Sequence, residues 1–329
     1  EDEDGDISGE PGTILEVFED LSRTPGATLP DGRTNDVANV IENFSKWISI
    51  AANTEPLLGE SPISVVYESL EGGTDGDNET SATLGALGPA YDLFRNANEL
   101  DISFVLQGKG DDSATRANYI MSNLVDFRKD CVLFISPSKE AVVDTNKNQE
   151  MLTNVIAYRN KLQNSSYWFM DSGYKYRYDK YNDLFRWVPL NGDMAGLCAR
   201  VEPFESPAGF RKGIIKNVVK LAFNPDKDQR DQLYTNDINP VMSQVGQGIL
   251  LFGDKTGLGV NSAFDRINVR RLFIAVEKAI ATASQQFLFE LNDEFTQTQF
   301  KNIVEPFLRE IQGRRGIIDF RVISDSTVN

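Results

Sequence analysis

The sequence predicts an α/β protein with a mixed, largely parallel sheet flanked by helices, preceded by a small partial α+β unit. Three observations carry this. From Ile63 onward, apolar strand-like runs alternate with amphipathic helical stretches, the signature of a substantially parallel sheet. One run, CVLFISPS from Cys131, is continuously apolar, as expected of a strand buried on both faces. The first sixty residues break this rhythm and read as a separate unit, so domains are expected at 1–60 and 61–329.

In the first unit, EDEDGDISGEPG reads as an acidic loop, and TILEVFEDLS (Thr13 to Ser22) alternates like a strand with one wet face. VANVIENFSKWI, from Val37, has apolar residues near helical spacing. In the second unit, ISVVYESLEGG and DISFVLQG read as strands, PAYDLFRNANEL as a helix. DSATRANYIMSNLVDFRKD is a second helix, with Asp112 or Ser113 able to cap its start. CVLFISPS follows as a strand and NQEMLTNVIAYRNKLQ as a helix. YKYRYD alternates strictly: Tyr174, Tyr176 and Tyr178 share one face, Lys175, Arg177 and Asp179 the other. KYND is a turn, LFRWVPL a returning strand, and NGDMAGLCARVE a helix with Asp193 near its start. A short helix at QRDQLYTNDINPV and a strand at GQGILLFG come next. FDRINVRRLFIAVEKAIATASQQFLFELN then holds one long helix and DEFTQTQFKNIVEPFLREIQGRRG another, the second interrupted or started near Pro306, and IIDFRVISD closes as a strand.

Composition excludes much chemistry. The 329 residues carry a formal net charge of −16, which repels phosphate and makes nucleic acid a poor partner. There is no histidine, so His-dependent triads and His-containing zinc sites within this chain are ruled out. Two cysteines, Cys131 and Cys198, are too few for a zinc site and read as small buried hydrophobes. No apolar run approaches the length of a membrane span. No catalytic, cofactor or metal site is expected.

GDKTG, Gly253 to Gly257, follows a strand but lacks the longer Gly-rich loop that wraps phosphates, and reads as a turn. Asp171, Asp179, Asp183 and Asp193 crowd the aromatic tract; caps, turns and ion pairs with Lys175, Arg177 and Arg186 account for them more simply than a glycosidase pair does. A ligand- or glycan-binding module using residues 174–187 is the alternative, and it requires an open pocket lined by Tyr174, Tyr176 and Trp187. In FDRINVRRLFIAVEKAI, Val269, Leu272, Phe273, Val276 and Ile280 follow helical spacing as a buried stripe, with Asp265 as N-cap. Arg266, Arg270, Arg271 and Lys278 lie off that stripe. Three arginines in the first turns oppose the helix dipole. They point either to an acidic partner or to an internal salt-bridge network, and the sequence leaves both open.

Taken in order, YKYRYDKYNDLFRWVPLNGDMAGLCAR, SPAGFRKG, RDQLYTNDINPV, GDKT, FDRINVRRLF and FELNDEFT resemble the contractile tail sheath proteins of T-even type bacteriophages, over roughly residues 63–328. The resemblance implies a structural subunit of the virion tail, assembled in the host bacterial cytoplasm, and not an enzyme. It implies as partners other sheath subunits in a helical array of hexameric rings, the tail tube protein, the baseplate and the tail terminator, with no direct nucleic acid and no membrane insertion. Contraction of the array would drive the tube through the host envelope. Residues 1–60 would be the end of an outer variable domain, and 61–329 the core domain, ending before the C-terminal arm. Neighbours in this family are joined by terminal arms that add strands to each other's sheet. A chain without both arms is expected to be monomeric alone. Under the resemblance, Arg266, Arg270, Arg271 and Lys278 are candidate tube or subunit contacts, and Lys175, Arg177 and Asp179 a candidate subunit-facing strand face.

Overall fold

The computed structural model describes residues 2, 5, 7–22, 24–49 and 82–324. The chain divides into two compact units, Glu1–Asp75 and Gly76–Asn329. The expected boundary between 60 and 61 lies outside the described residues, as does the expected strand ISVVYESLEGG.

In the first unit, helix α1 (Val37–Phe44) starts where Asp36 accepts the Ala38 amide, and it buries Ile41. The expected strand at 13–22 does not form. Only Thr13 and Ser22 make isolated bridges, and Ile14 and Val17 stay exposed, since among the described residues no strand pairs along this segment.

The second unit is built on a parallel sheet. Helix α2 (Leu84–Asp92) ends earlier than the sequence suggests. Arg128 donates to the carbonyls of Phe94 and Leu100 and so holds that stretch in turns. Strand β1 (Phe104–Leu106) leads to α3 (Thr115–Ile120), a π-helical stretch Met121–Val125, and α4 (Asp126–Arg128). The cap of α3 comes from Asp111, not from Asp112 or Ser113: its carboxylate accepts the Thr115 and Arg116 amides across a left-handed Ala114. Strand β2 (Val132–Ile135), helices α5 (Lys139–Val142) and α6 (Asn148–Arg159), and strand β3 (Trp168–Met170) follow. The sheet order is β1-β2-β3, all parallel, with Phe104 opposite Val132 and Leu133 opposite Trp168.

Pleating divides this sheet between two cores. Leu133, Ile135, Trp168 and Met170 pack with Ile120, Leu124, Leu152 and Val155. Val132, Phe134 and Phe169 pack on the opposite face with Met194, Leu197, Ile267 and Ile274. That is why CVLFIS carries no polar alternation.

Strands β4 (Tyr174–Asp179) and β5 (Leu184–Pro189) form the expected antiparallel hairpin, followed by helix α7 (Asn191–Ala199). Strand β6 (Lys220–Leu221) pairs with the other edge of β4. Helix α8 (Lys227–Thr235) opens on a capping box between Asp226 and Gln229. Strands β7 (Val241–Gln244) and β8 (Gly248–Leu251) form a two-stranded antiparallel sheet. The sheet content is therefore mixed, with the parallel pairings in the central sheet. Helix α9 (Ile267–Ser284) and helix α10 (Glu294–Gly313) complete the fold. Pro306 lies inside α10 without breaking it; Asp293, not the proline, marks the start by capping Thr296. No strand forms over 317–324, where no other described strand pairs with the chain.

Candidate contact surfaces

The cations of α9 sit where their sequence spacing does not suggest. The buried residues of the helix are Ile267, Arg270, Arg271, Leu272 and Ile274; of the expected stripe Leu272 is buried, while Phe273 is exposed. Arg270 is 9% exposed and Arg271 8%. Arg270 donates from Nε to Ser166 Oγ (3.0 Å) and from Nη1 to the Tyr167 hydroxyl (3.2 Å). Its guanidinium lies 4.2 Å from the Tyr167 ring centre and 4.1 Å from that of Phe264. Arg271 donates from Nη2 to the carbonyls of Cys198 (2.6 Å) and Val201 (3.2 Å). Burial lowers the pKa of both arginines.

This explains three arginines in the first turns of a helix. The expectation that Arg270 and Arg271 lie off the buried stripe is corrected: a planar guanidinium on a long apolar stem can enter a core face if carbonyls and rings receive it. Arg271 satisfies carbonyls at the end of α7, where a helix leaves acceptors unpaired and favours positive charge. Asp265 is not the N-cap; Arg266 holds that position without a capping hydrogen bond. Arg266 pairs with Asp254 at 2.5 Å and Asp265 at 3.5 Å, and also donates to Tyr234. Lys278 pairs with Asp101 at 2.6 Å and Asp130 at 3.6 Å. Arg266 and Lys278 thus belong to internal ion pairs, while Arg270 and Arg271 have internal partners that are not carboxylates.

The strand face of β4 is divided along its length. Lys175 is 5% exposed and its ammonium meets Asp193 Oδ1 at 2.8 Å. The expectation that Lys175 belongs to an open, subunit-facing strand face is corrected, because α7 covers the start of the strand and supplies the carboxylate. Arg177 is exposed, and Asp179 pairs with Arg186 at 3.0 Å across the hairpin. On the other face only Tyr174 is fully inside, packed in the helix-side core with Trp187 against it. Tyr176 stacks on Phe185 and meets Trp187 at a tilt, with ring centres 5.3 and 4.8 Å apart, and Tyr178 remains 45% exposed. Cavities of about 550 and 510 Å³ open elsewhere, one of about 300 Å³ opens on the Lys175 and Arg177 face, and none of the three is lined by Tyr174, Tyr176 or Trp187.

GDKTG is a packed connector. Lys255 N–H donates to Asn239 Oδ1, Thr256 donates its hydroxyl to the Phe264 carbonyl, and Gly257 lies against the Trp168 ring. Both cysteines are buried, which pushes their thiols up to about 12. Asp171 is fully buried at the end of β3. It accepts from Ser136 Oγ (2.6 Å) and from the Gly173 amide (2.8 Å), and burial raises its carboxyl to about 8. Its spacing gave no sign of this; the signal is its position directly after a fully apolar strand. Among the described residues, no cluster of three or more Cys, Asp or Glu is placed to hold a metal ion, and no helix is long and apolar enough to cross a membrane.

Residues 260–329, which include α9 and α10, match the phage tail sheath C-terminal domain family. The chain is 36% identical over 326 residues to the tail sheath protein of Salmonella phage ViI, covering 98% of this chain and 49% of that protein. It is 39% identical over 276 residues to the tail sheath protein of Enterobacteria phage T4, covering 79% of this chain and 42% of that protein. The chain thus spans less than half the length of these relatives. Its fold is similar to that of the anti-feeding prophage helical sheath in its contracted state, with a TM-score of 0.54, 17% identity, and coverage of 72% of this chain and 61% of that one.

Proposed function

We propose that this chain, which belongs to the phage tail sheath family, is the core of a structural subunit of a contractile phage tail sheath. The observation that carries this is 36% identity to a tail sheath protein in an alignment that covers 98% of the chain. The subunit polymerises around the tail tube as hexameric rings in a helical array, and contraction drives the tube through the host envelope. Its role is structural and non-enzymatic. Its partners are other sheath subunits, the tube protein, the baseplate and the tail terminator, and its place is the virion tail, after assembly in the host cytoplasm. Residues 1–60 are the end of an outer variable domain, and 61–329 the core.

A sheath core must hold its own shape while the contacts between copies rearrange. A parallel sheet packed on both faces, with buried Arg271 tying α9 to α7 and buried Arg270 tying it to Ser166 and Tyr167, suits that demand. Contacts between copies fall to the exposed side chains. Leu288, Phe289 and Leu291 between α9 and α10, with Phe295 in the first turn of α10, are exposed apolar side chains of the kind that marks protein contacts. Among the charged candidates, Arg177 is open, whereas Arg270 and Arg271 belong to the interior. Antibody raised against this chain and imaged by negative-stain microscopy on phage particles is expected to decorate the whole length of the tail. Decoration of capsids or of the baseplate alone refutes the proposal.

A further inference from the structure

The groove of about 300 Å³ between β4, α7 and the 214–217 loop collects positive charge in an acidic protein. Lys175, Arg177, Arg200 and Lys216 line it, with Asp193 as its one carboxylate. Asp193 is already paired with Lys175. Arg200 donates to the Ile214 carbonyl, and neither it nor Arg177 nor Lys216 has a carboxylate partner among the described residues. All three are exposed. The floor is α7 at Gly192 and Gly196, one helical turn apart, where an added Cβ would meet nothing within 4 Å. A neighbouring backbone can therefore approach closely and bring carboxylates between the three cations. This contrasts with α9, whose Arg266 and Lys278 are neutralised by aspartates of the same chain.

We propose that this groove receives an acidic segment of a second copy of this chain. The occupant follows from charge: each copy carries 49 Asp and Glu against 33 Lys and Arg, so a neighbouring copy supplies carboxylates in excess. Three charges left open on a concave surface are poorly explained by solvation alone, and complementary charge sets register between partners and speeds their encounter. Exposed pairs of this kind are individually weak and screened by salt, so the contact can open and re-form as subunits shift. The proposal rests on the reading of the chain as a subunit that packs against copies of itself.

The test is made on the full gene product polymerised from an equal mixture of isotope-labelled and unlabelled protein. A carbodiimide joins a lysine amine directly to a carboxylate that touches it. Mass spectrometry is expected to find Lys216 joined to Asp or Glu peptides of mixed isotopic origin. The Arg177→Glu/Lys216→Glu variant is expected to polymerise at least roughly tenfold less well, since like charges facing each other cost several kcal/mol. Because neither side chain has a carboxylate partner among the described residues, the variant's thermal midpoint is expected to match the wild type. Cross-links from Lys216 confined to one copy, or made to a different protein, overturn the proposal. So does normal polymerisation of the double variant, which leaves the sheath reading intact. Wild-type protein that never polymerises overturns both.

Discussion

Replacing Asp171 with asparagine is expected to abolish a fall in stability that the wild type shows as pH rises from about 4 to about 8. Asp171 is 0% exposed. Two hydrogen bonds to its carboxylate favour ionisation, but burial outweighs them and Asp193 adds repulsion, so the folded carboxyl is raised to about 8. In the unfolded chain it ionises near pH ~3.9. Between those values the folded protein holds a proton that the unfolded chain has released. The stabilising contribution is therefore complete below the unfolded pKa and lost as pH rises through the folded one. The slope is about 1.4 kcal/mol per pH unit, or on the order of 4 kcal/mol between about pH 5 and about pH 8. Asparagine keeps the shape, accepts from the Gly173 amide and carries no proton to lose. Urea unfolding of wild type and Asp171→Asn across this range supplies the difference, in which the other carboxylates cancel. Near-equal stabilities at about pH 5, with the variant several kcal/mol more stable at about pH 8, is the expected result. Parallel pH profiles would show that the folded protein holds Asp171 ionised throughout, and would refute the argument.

Further expectations concern packing and the arginines. A Cβ added at Gly257 would lie 1.8 Å from the Trp168 ring, whose indole N–H is held by the Gln163 carbonyl. Gly257→Ala is expected to cost about 2–3 kcal/mol in chemical denaturation, and a wild-type midpoint would mean the ring can move aside. Arg271→Met keeps an apolar stem but leaves the carbonyls of Cys198 and Val201 without this donor; about 2 kcal/mol is expected, against less than about 0.5 kcal/mol for Arg177→Met. Equal thermal midpoints for those two variants would contradict the division between buried and exposed cations.

Much of the framework was legible in the chain. CVLFIS is apolar without alternation because β2 is covered on both faces, and YKYRYD alternates because β4 lies in a hairpin with distinct faces. The resemblance carried by the motifs around Tyr174 to Arg200 and Phe264 to Phe273 agrees with the relatives found. Elements held by local periodicity alone were less secure. The 13–22 segment alternates, but among the described residues it has no partner strand, and alternation alone makes no ladder. The helix expected at 89–100 yielded to Arg128, a side chain distant in sequence that captures its carbonyls.

What the sequence by itself determined is the α/β character, the doubly buried central strand, the β4–β5 hairpin, and the lack of histidine. These follow from local periodicity and composition, which belong to a residue and its near neighbours. Only the tertiary structure decided which charges are available to a partner. Arg270 and Arg271 look like surface cations by spacing, yet they are interior because the Tyr167 ring and the α7 carbonyls lie opposite them. Lys175 looks like its neighbour Arg177, yet Asp193 and α7 remove it from solvent. A buried charge is tolerated only when partners from elsewhere in the chain compensate its desolvation, and those partners are visible only after folding.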